Sequence, residues 1–94
     1  MIRHTIHFQG RVQGVGFRYT ACRIAQCHQV CGIVQNLPDG RVRLVAEGAA
    51  ADLEAFVKDL RAQMSDHIQD ARIEQGAAGG EFGQPGRGRV VVRY

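Results

Sequence analysis

The sequence predicts an α+β fold in which an antiparallel sheet carries two helices on one face. Two patterns along its 94 residues indicate this. Several short stretches alternate between apolar and polar residues, as half-buried strands do, and two stretches repeat their apolar residues at helical spacing. Their order is β-α-β-β-α-β with a short additional C-terminal strand, which is the order of a ferredoxin-like α/β sandwich. Because this fold serves many functions, the function has to be inferred from particular residues.

The N-terminal third contains a strand, a glycine-rich loop and a helix. In residues 2–9 every second side chain falls on one face, which is the period of a half-buried strand. That face consists of Ile2, His4, Ile6 and Phe8. We interpret His4 as a core or edge histidine rather than a ligand. From Phe17 onwards apolar residues recur at helical spacing, which predicts an amphipathic helix of about three turns that ends near His28.

A β-hairpin is predicted next. Its strands are residues 30–36 and 41–47, and the segment LPDG joins them. Pro38 restricts its own φ, and Gly40 can take the positive φ that tight hairpin turns require.

The C-terminal half contains the clearest helix, residues 49–64, in which one apolar stripe faces charged residues on the opposite side. The stripe consists of Leu53, Phe56, Val57, Leu60 and Met64. Residues 67–75 form a predicted strand, and residues 89–94 form a short final one. Between them, residues 76–88 are rich in glycine and lack periodicity, so we interpret them as a flexible connection.

Composition and charge indicate a globular protein and argue against a membrane or secreted one. Apolar residues make up 45% of the chain, and no run approaches the roughly 18 apolar residues of a membrane span. The N-terminus lacks the features of a signal peptide, and an odd number of cysteines, three, indicates reduced thiols. We therefore expect a soluble, intracellular protein. Its net charge is +3, and eleven of its twelve Lys and Arg residues are Arg, which suits an anionic partner.

The segment GRVQGVGFR, residues 10–18, lies where the first strand gives way to the first helix. Its glycines can adopt left-handed backbone geometry, which lets consecutive N–H groups turn towards one anion. The helix start near Phe17 adds unpaired N–H groups and the positive end of the helix dipole. Arg18, in the first helical turn, opposes that dipole, so helix stability alone does not favour it. A bound anion would offset the repulsion and accept the guanidinium donors.

On physical grounds alone, the loop predicts a small oxyanion site with phosphate as the expected ligand. The alternative is that its glycines only make a tight turn between strand and helix. The loop contains neither G-x-x-x-x-G-K-[ST] nor G-x-G-x-x-G, so the established nucleotide-binding motifs do not apply.

The segments GRVQGVGFRYTA and GIVQNLPDGRV resemble two motifs of the acylphosphatase family, and the resemblance extends over nearly the whole chain. It implies one domain over residues 1–94 that hydrolyses small acyl phosphates to a carboxylate and inorganic phosphate, without metal or cofactor. It also implies that Arg18 and Asn36 are catalytic, with Asn36 orienting the attacking water. The residues that the resemblance assigns to substrate binding, mostly through main-chain N–H groups, are Gln13, Gly14, Val15, Gly16, Phe17 and Arg18.

The implied roles agree with the chemistry of these side chains. An acyl phosphate has a good leaving group, so its hydrolysis needs positioning and charge stabilisation on the phosphoryl oxygens, which Arg18 and loop N–H groups supply. Asn36 can accept and donate a hydrogen bond but cannot act as a general base, so we infer that the phosphate takes the proton of the water. The structural alternatives are a turn-capping role for Asn36 and a surface salt bridge for Arg18.

The resemblance also carries expectations about partners. The substrate is a small-molecule acyl phosphate, and inorganic phosphate is both product and competitor. We expect a cytoplasmic monomer without nucleic-acid or membrane partners. Two positions depart from the family pattern. Ile33 replaces a residue that is often aromatic, and Gln29 replaces a glycine that usually ends the first helix. A left-handed Gln29 would cost on the order of 1 kcal/mol.

Three other interpretations stay open from the sequence. Cys22, Cys27, His28 and Cys31 could be considered a zinc-binding cluster, although their spacing does not match paired zinc motifs. The element order and basic charge also describe an RNA-recognition module, but the predicted third strand, RVRLVAEG, lacks the aromatic residues that stack on bases. A relative that binds phosphate without useful turnover is the third.

Overall fold

Seven elements follow one another in the predicted order. They are β1 (Ile2–Gly10), α1 (Phe17–Ala25), β2 (Val30–Asn36), β3 (Val42–Gly48), α2 (Ala50–Gln63), β4 (Ile68–Ala77) and β5 (Arg89–Val92). The computed structural model describes residues 1–83 and 88–93. Residues 84–87 of the predicted connection and Tyr94 of the predicted last strand lie outside the described residues. Neither described helix has the length and apolar character needed to span a membrane.

The strands form one sheet in the order β4-β1-β3-β2-β5. The β1–β3, β1–β4 and β2–β3 pairs are antiparallel, as predicted, but β5 lies parallel to β2, so the sheet is mixed rather than antiparallel throughout. The direction of β5 is set by the end of the sheet at which it starts. β4 finishes with Ala77 opposite Ile2, and β5 starts with Arg89 opposite Cys31, which is the same end of the sheet. Because β2 also starts at that end, β5 runs parallel to β2.

Both helices cover the face of the sheet to which the even-numbered residues of β1 point. Ile6 and Phe8 are completely buried there, and His4 is 7% exposed, in agreement with a core histidine. The predicted helical stripes are buried as well, and the rings of Phe8 and Phe17 lie 4.9 Å apart. Burial of such a side chain contributes about 1.5–3 kcal/mol, so this apolar layer is what holds the helices on the sheet.

The first helix ends at Ala25, three residues before the predicted position. The chain remains coiled to His28, because the N–H groups of residues 26–28 donate to carbonyls three residues earlier, which tightens the last turn. Gln29 has no positive φ, so the cost considered for a left-handed residue does not arise. His28 also connects the helices, since its Nε2 lies 2.7 Å from Oδ2 of Asp59.

The glycine-rich connection predicted as flexible is anchored in its first part. The carboxylate of Glu47 on β3, only 1% exposed, accepts hydrogen bonds from the main-chain N–H groups of Gly79 and Gly80, at 2.9 and 3.1 Å. It also accepts two from the guanidinium of Arg3, its cross-strand neighbour, at 2.8 and 2.6 Å. The sequence did not indicate this anchor, because it is a buried acid from another element, which glycine content and lack of periodicity cannot reveal.

Replacing Glu47 should measurably destabilise the protein. Glu47→Gln keeps the size of the side chain but replaces one carboxylate oxygen by an NH2 group, which cannot accept hydrogen bonds, and leaves the guanidinium of Arg3 without its buried counter-charge. We therefore expect the free energy of unfolding to fall by about 2–4 kcal/mol. Glu81→Gln is the matched control, because Glu81 pairs with the same Arg3 but is exposed, and we expect it to cost at most about 1 kcal/mol. Urea denaturation at neutral pH measures both. Equal effects of the two variants would contradict the anchoring role of Glu47.

The effect of Glu47 should depend on pH. Burial alone would raise the pKa of Glu47, but the hydrogen bonds from Gly79, Arg3 and Gly80 outweigh it and bring the pKa below its ordinary value of 4.5. A carboxylate with a lowered folded-state pKa stabilises the protein above the unfolded-state value, and this contribution is lost as pH falls through the folded-state value. The stability gap between wild type and Glu47→Gln should therefore narrow below pH 4.5.

Candidate functional site

The glycine-rich loop and the hairpin turn lie at the same end of the sheet. β3 runs between β1 and β2, and its residue Val42 is opposite both Phe8 of β1 and Asn36 of β2. β1 and β2 therefore end side by side across β3. The loop that follows β1 and the turn that follows β2 must then be close neighbours, although they are more than twenty residues apart in the sequence.

The loop has the left-handed backbone that its glycines predict. Gly14 and Gly16 both have φ of 77°, and Gly16 is the residue that caps the start of α1. A side chain at either position would enter open space, so the positive φ, and not crowding, is what favours glycine there. This backbone makes a sharp entry into α1 that exposes the start of the helix.

Main-chain donors are concentrated along this loop. Within residues 1–83 and 88–93, the N–H groups of Gln13 through Phe17 have no protein acceptor, whereas that of Arg11 donates to the carbonyl of His67 at 2.9 Å. The first turn of α1 contains no acidic residue that would satisfy the helix N-terminus. A series of unpaired N–H groups at the positive end of a helix is suited to an oxyanion.

A cavity of about 420 Å³ opens beside this loop. Its lining residues are Val12, Gly14, Gly16, Phe17, Arg18, Tyr19, Cys22, Asn36 and Val92. The structure thus brings five of the seven predicted site residues to one cavity, including Arg18 and Asn36. Gln13 and Val15 do not line it: Val15 packs against the core, and the side chain of Gln13 points to the hairpin.

Arg18 lies in the first turn of α1, and Cys22 follows it by one turn on the same side of the helix. Burial raises the pKa of the Cys22 thiol, and the positive charge of Arg18 partly opposes this rise. The positive charge of Arg18 therefore acts on the wall of the cavity, where the raised pKa favours the neutral form of the Cys22 thiol.

Asn36, the last residue of β2, presents a buried oxygen to this region. Its Oδ1 is shielded from solvent and has no hydrogen-bond partner among the described residues. The turn that follows is capped by Asp39 instead, whose Oδ1 accepts from the Arg41 N–H at 3.1 Å. The turn-capping alternative for the Asn36 oxygen is therefore not what the structure shows. A buried carbonyl without a partner is costly unless a ligand or a water molecule donates to it.

Four residues that line the cavity were not predicted. Val12 lies inside the predicted loop segment, and Tyr19 and Cys22 follow it closely. The helical spacing of Cys22 from Arg18 could have revealed its place beside the cavity. Val92 comes from β5, which reaches the cavity because Val92 is paired with Val34, near the end of β2. Nothing in the local sequence around Val92 indicates that its side chain lies beside the glycine-rich loop.

A larger cavity, of about 620 Å³, lies against the opposite side of the sheet and contains none of the predicted site residues. Two of its arginines, Arg41 and Arg72, are paired with Asp39 and Asp70 at 2.7 and 3.4 Å, which reduces its attraction for an anion. In the part of the chain that the structure describes, no three His, Cys, Asp or Glu side chains come together as a metal site requires.

Comparison with known proteins connects this geometry to a family. A family model described as Acylphosphatase matches residues 4–84. An acylphosphatase of Paenarthrobacter aurescens is 42% identical over 82 residues, which cover 86% of this chain and 87% of that protein. The crystal structure of an acylphosphatase from Bacillus subtilis is 30% identical, with a TM-score of 0.80 over 100% of both chains. HypF from T. kodakarensis is 33% identical, with a TM-score of 0.79, and the match covers 100% of this chain and 12% of that one.

Proposed function

Because the chain belongs to the acylphosphatase family, as its motifs predicted, we propose that it hydrolyses the carboxyl–phosphate bond of small acyl phosphates. The products are a carboxylate and inorganic phosphate. The observation that carries the proposal is that Arg18 and Asn36 line one cavity together with the loop glycines.

The phosphoryl group is bound at the N-terminus of α1. Main-chain N–H groups of residues 13–17 donate to its oxygens, and the guanidinium of Arg18 adds a charged fork of donors. Charge on the equatorial oxygens develops in front of these donors during transfer. Fixed donors that need no reorganisation stabilise such a transition state more than water does.

The water is oriented by Asn36. Its buried Oδ1 can accept a hydrogen bond from the water and direct the lone pair of the water oxygen at phosphorus. The new P–O bond forms as the bond between phosphorus and the acyl oxygen breaks, and the carboxylate leaves with the electron pair of that bond. The proton of the water passes to a phosphoryl oxygen, because a carboxamide is not a base. The step needs neither a metal nor a cofactor.

The same proposal covers the partners and the setting of the enzyme. Residues 1–94 act as one domain and a monomer, with an acyl phosphate as substrate and inorganic phosphate as product and competitor. Neither a nucleic acid nor a membrane takes part, and the enzyme works in the cytoplasm. The acyl group of the substrate would lie against the apolar part of the cavity, which includes Tyr19 and Val92.

A direct assay tests the proposal. The purified protein should release phosphate from acetyl phosphate and benzoyl phosphate well above the spontaneous rate, with full activity in excess chelator and competitive inhibition by inorganic phosphate. Turnover that disappears with the chelator would contradict the metal-free mechanism. Binding of inorganic phosphate without turnover would identify the chain as an inactive relative.

A further inference from the structure

The side chain of Gln13 connects the glycine-rich loop to the hairpin that carries Asn36. Its Nε2 donates to the carbonyl oxygens of Leu37 and Arg41, at 2.8 and 3.0 Å. A carboxamide nitrogen has two hydrogens, so this single group uses its complete donor capacity on the two carbonyls. The side chain of Gln13 is therefore engaged with the protein and not directed at the cavity.

The two acceptors stand at the two ends of the hairpin turn. Leu37 directly follows Asn36, and Arg41 directly precedes Val42, the cross-strand partner of Asn36. The turn between them is closed by the Leu37 N–H, which donates to the Arg41 carbonyl at 2.8 Å. A group bound to both ends of this turn restrains the position of the last residue of β2.

Within residues 1–83 and 88–93, the loop (residues 11–16) and the turn (residues 37–41) are joined by the two hydrogen bonds of the Gln13 carboxamide and by no others. The phosphate-binding N–H groups belong to the loop, whereas the water-orienting oxygen belongs to the hairpin. Their relative position decides whether the water is in line with the bond that breaks. An error of about 1 Å in such a position can cost about a hundredfold in rate.

From this geometry we propose that Gln13 is a positioning residue: its carboxamide fixes the Asn36 side chain relative to the bound phosphate. The inference rests on the proposed function. It differs from the role that the family resemblance implies for Gln13, which is to bind substrate through its main-chain N–H. Loss of the side chain should thus impair the attack of water much more than it impairs the binding of phosphate.

Gln13→Met tests this directly, since it keeps the length of the side chain and removes both donors. We expect kcat for benzoyl phosphate to fall by about 10- to 100-fold, while the inhibition constant of inorganic phosphate changes less than about threefold. Gln9→Met is the matched control, because Gln9 is exposed at the end of β1, and its kinetics should equal those of wild type. If Gln13→Met does not fold, Gln13→Asn, which is one methylene too short to reach the carbonyls, should give the same separation.

A double-mutant cycle with Asn36→Ala shows whether Gln13 acts through Asn36. In the Asn36→Ala background, Gln13→Met should lower kcat no further, because the water is then no longer oriented. Three results would each overturn the inference. The two substitutions could lower kcat by the product of their separate effects, Gln13→Met alone could leave kcat unchanged, or its phosphate inhibition constant could rise as much as its kcat falls. An inactive wild type would overturn the proposed function as well, whereas an active wild type with an equally active Gln13→Met would overturn only the role of Gln13.

Discussion

Arg18→Ala is expected to lower kcat for a small acyl phosphate by about 10²- to 10³-fold and to weaken inhibition by inorganic phosphate at least about tenfold. Among the described residues that line the cavity, Arg18 has the one charged side chain. In the proposed mechanism its guanidinium binds the phosphoryl oxygens in the ground state and binds them more tightly as charge develops, so the variant should lose both contributions. Steady-state kinetics with phosphate as the competitor measures both effects.

Two further variants make this result specific. Arg23→Ala removes an arginine from the same helix, where the guanidinium donates to Gln63 on the surface, so kcat should stay at the wild-type value. Arg18→Lys retains the charge but not the planar fork, and it should recover only part of the phosphate affinity. If Arg18→Ala kept both turnover and phosphate inhibition near those of wild type, the loop would be a structural turn and not the phosphate site.

Asn36→Ala is expected to separate the two halves of the mechanism. We expect kcat to fall by about a hundredfold, while the inhibition constant of inorganic phosphate stays within about threefold of wild type. In the proposed mechanism the buried Oδ1 of Asn36 orients the water and does not bind the phosphate, so its loss should affect the transition state alone. Steady-state kinetics with inorganic phosphate as the competitor, as for Arg18→Ala, measures both kcat and the inhibition constant.

Gln35→Ala is the control for Asn36. Gln35 is the preceding residue of β2, and its side-chain oxygen accepts from Nη1 of Arg43 at 3.2 Å, away from the cavity. Its loss should leave kcat unchanged. Near-full turnover in Asn36→Ala would rule out the water-orienting role, and a phosphate inhibition constant that rises with the fall in kcat would place Asn36 in the phosphate site instead.

Much of the fold could be predicted because its signals are local. The second strand has the predicted bounds, Val30–Asn36, and the stripes of both helices are buried as their spacing indicates. The left-handed backbone of the glycine-rich loop could also be predicted, because glycine is the residue type that adopts a positive φ without a steric cost. Helix ends were less accurate: α1 ends at Ala25 because the last residues before β2 adopt a tighter turn, which apolar spacing does not distinguish from an α-helix.

Buried polar groups were the least predictable part. Glu47 looks like an ordinary strand residue, yet it is buried because Arg3 and two glycine N–H groups converge on it from other elements. Gln13 is part of the motif, but its sequence context does not indicate that its carboxamide would meet two carbonyls of the hairpin. In both cases the partner is more than twenty residues away in the sequence.

The sequence by itself determined the order of the elements, the apolar faces of the helices, the left-handed turns of the loop and the identity of the family. Each of these depends on residue type and on spacings within one segment. Only the tertiary structure decided the direction of β5, the anchoring of residues 79 and 80, the place of Val92 in the cavity and the side-chain contacts of Gln13. These features depend on which distant segments of the chain meet in the folded protein. The free energy of such contacts depends on distances and angles between those segments, which the residue pattern within one segment does not determine.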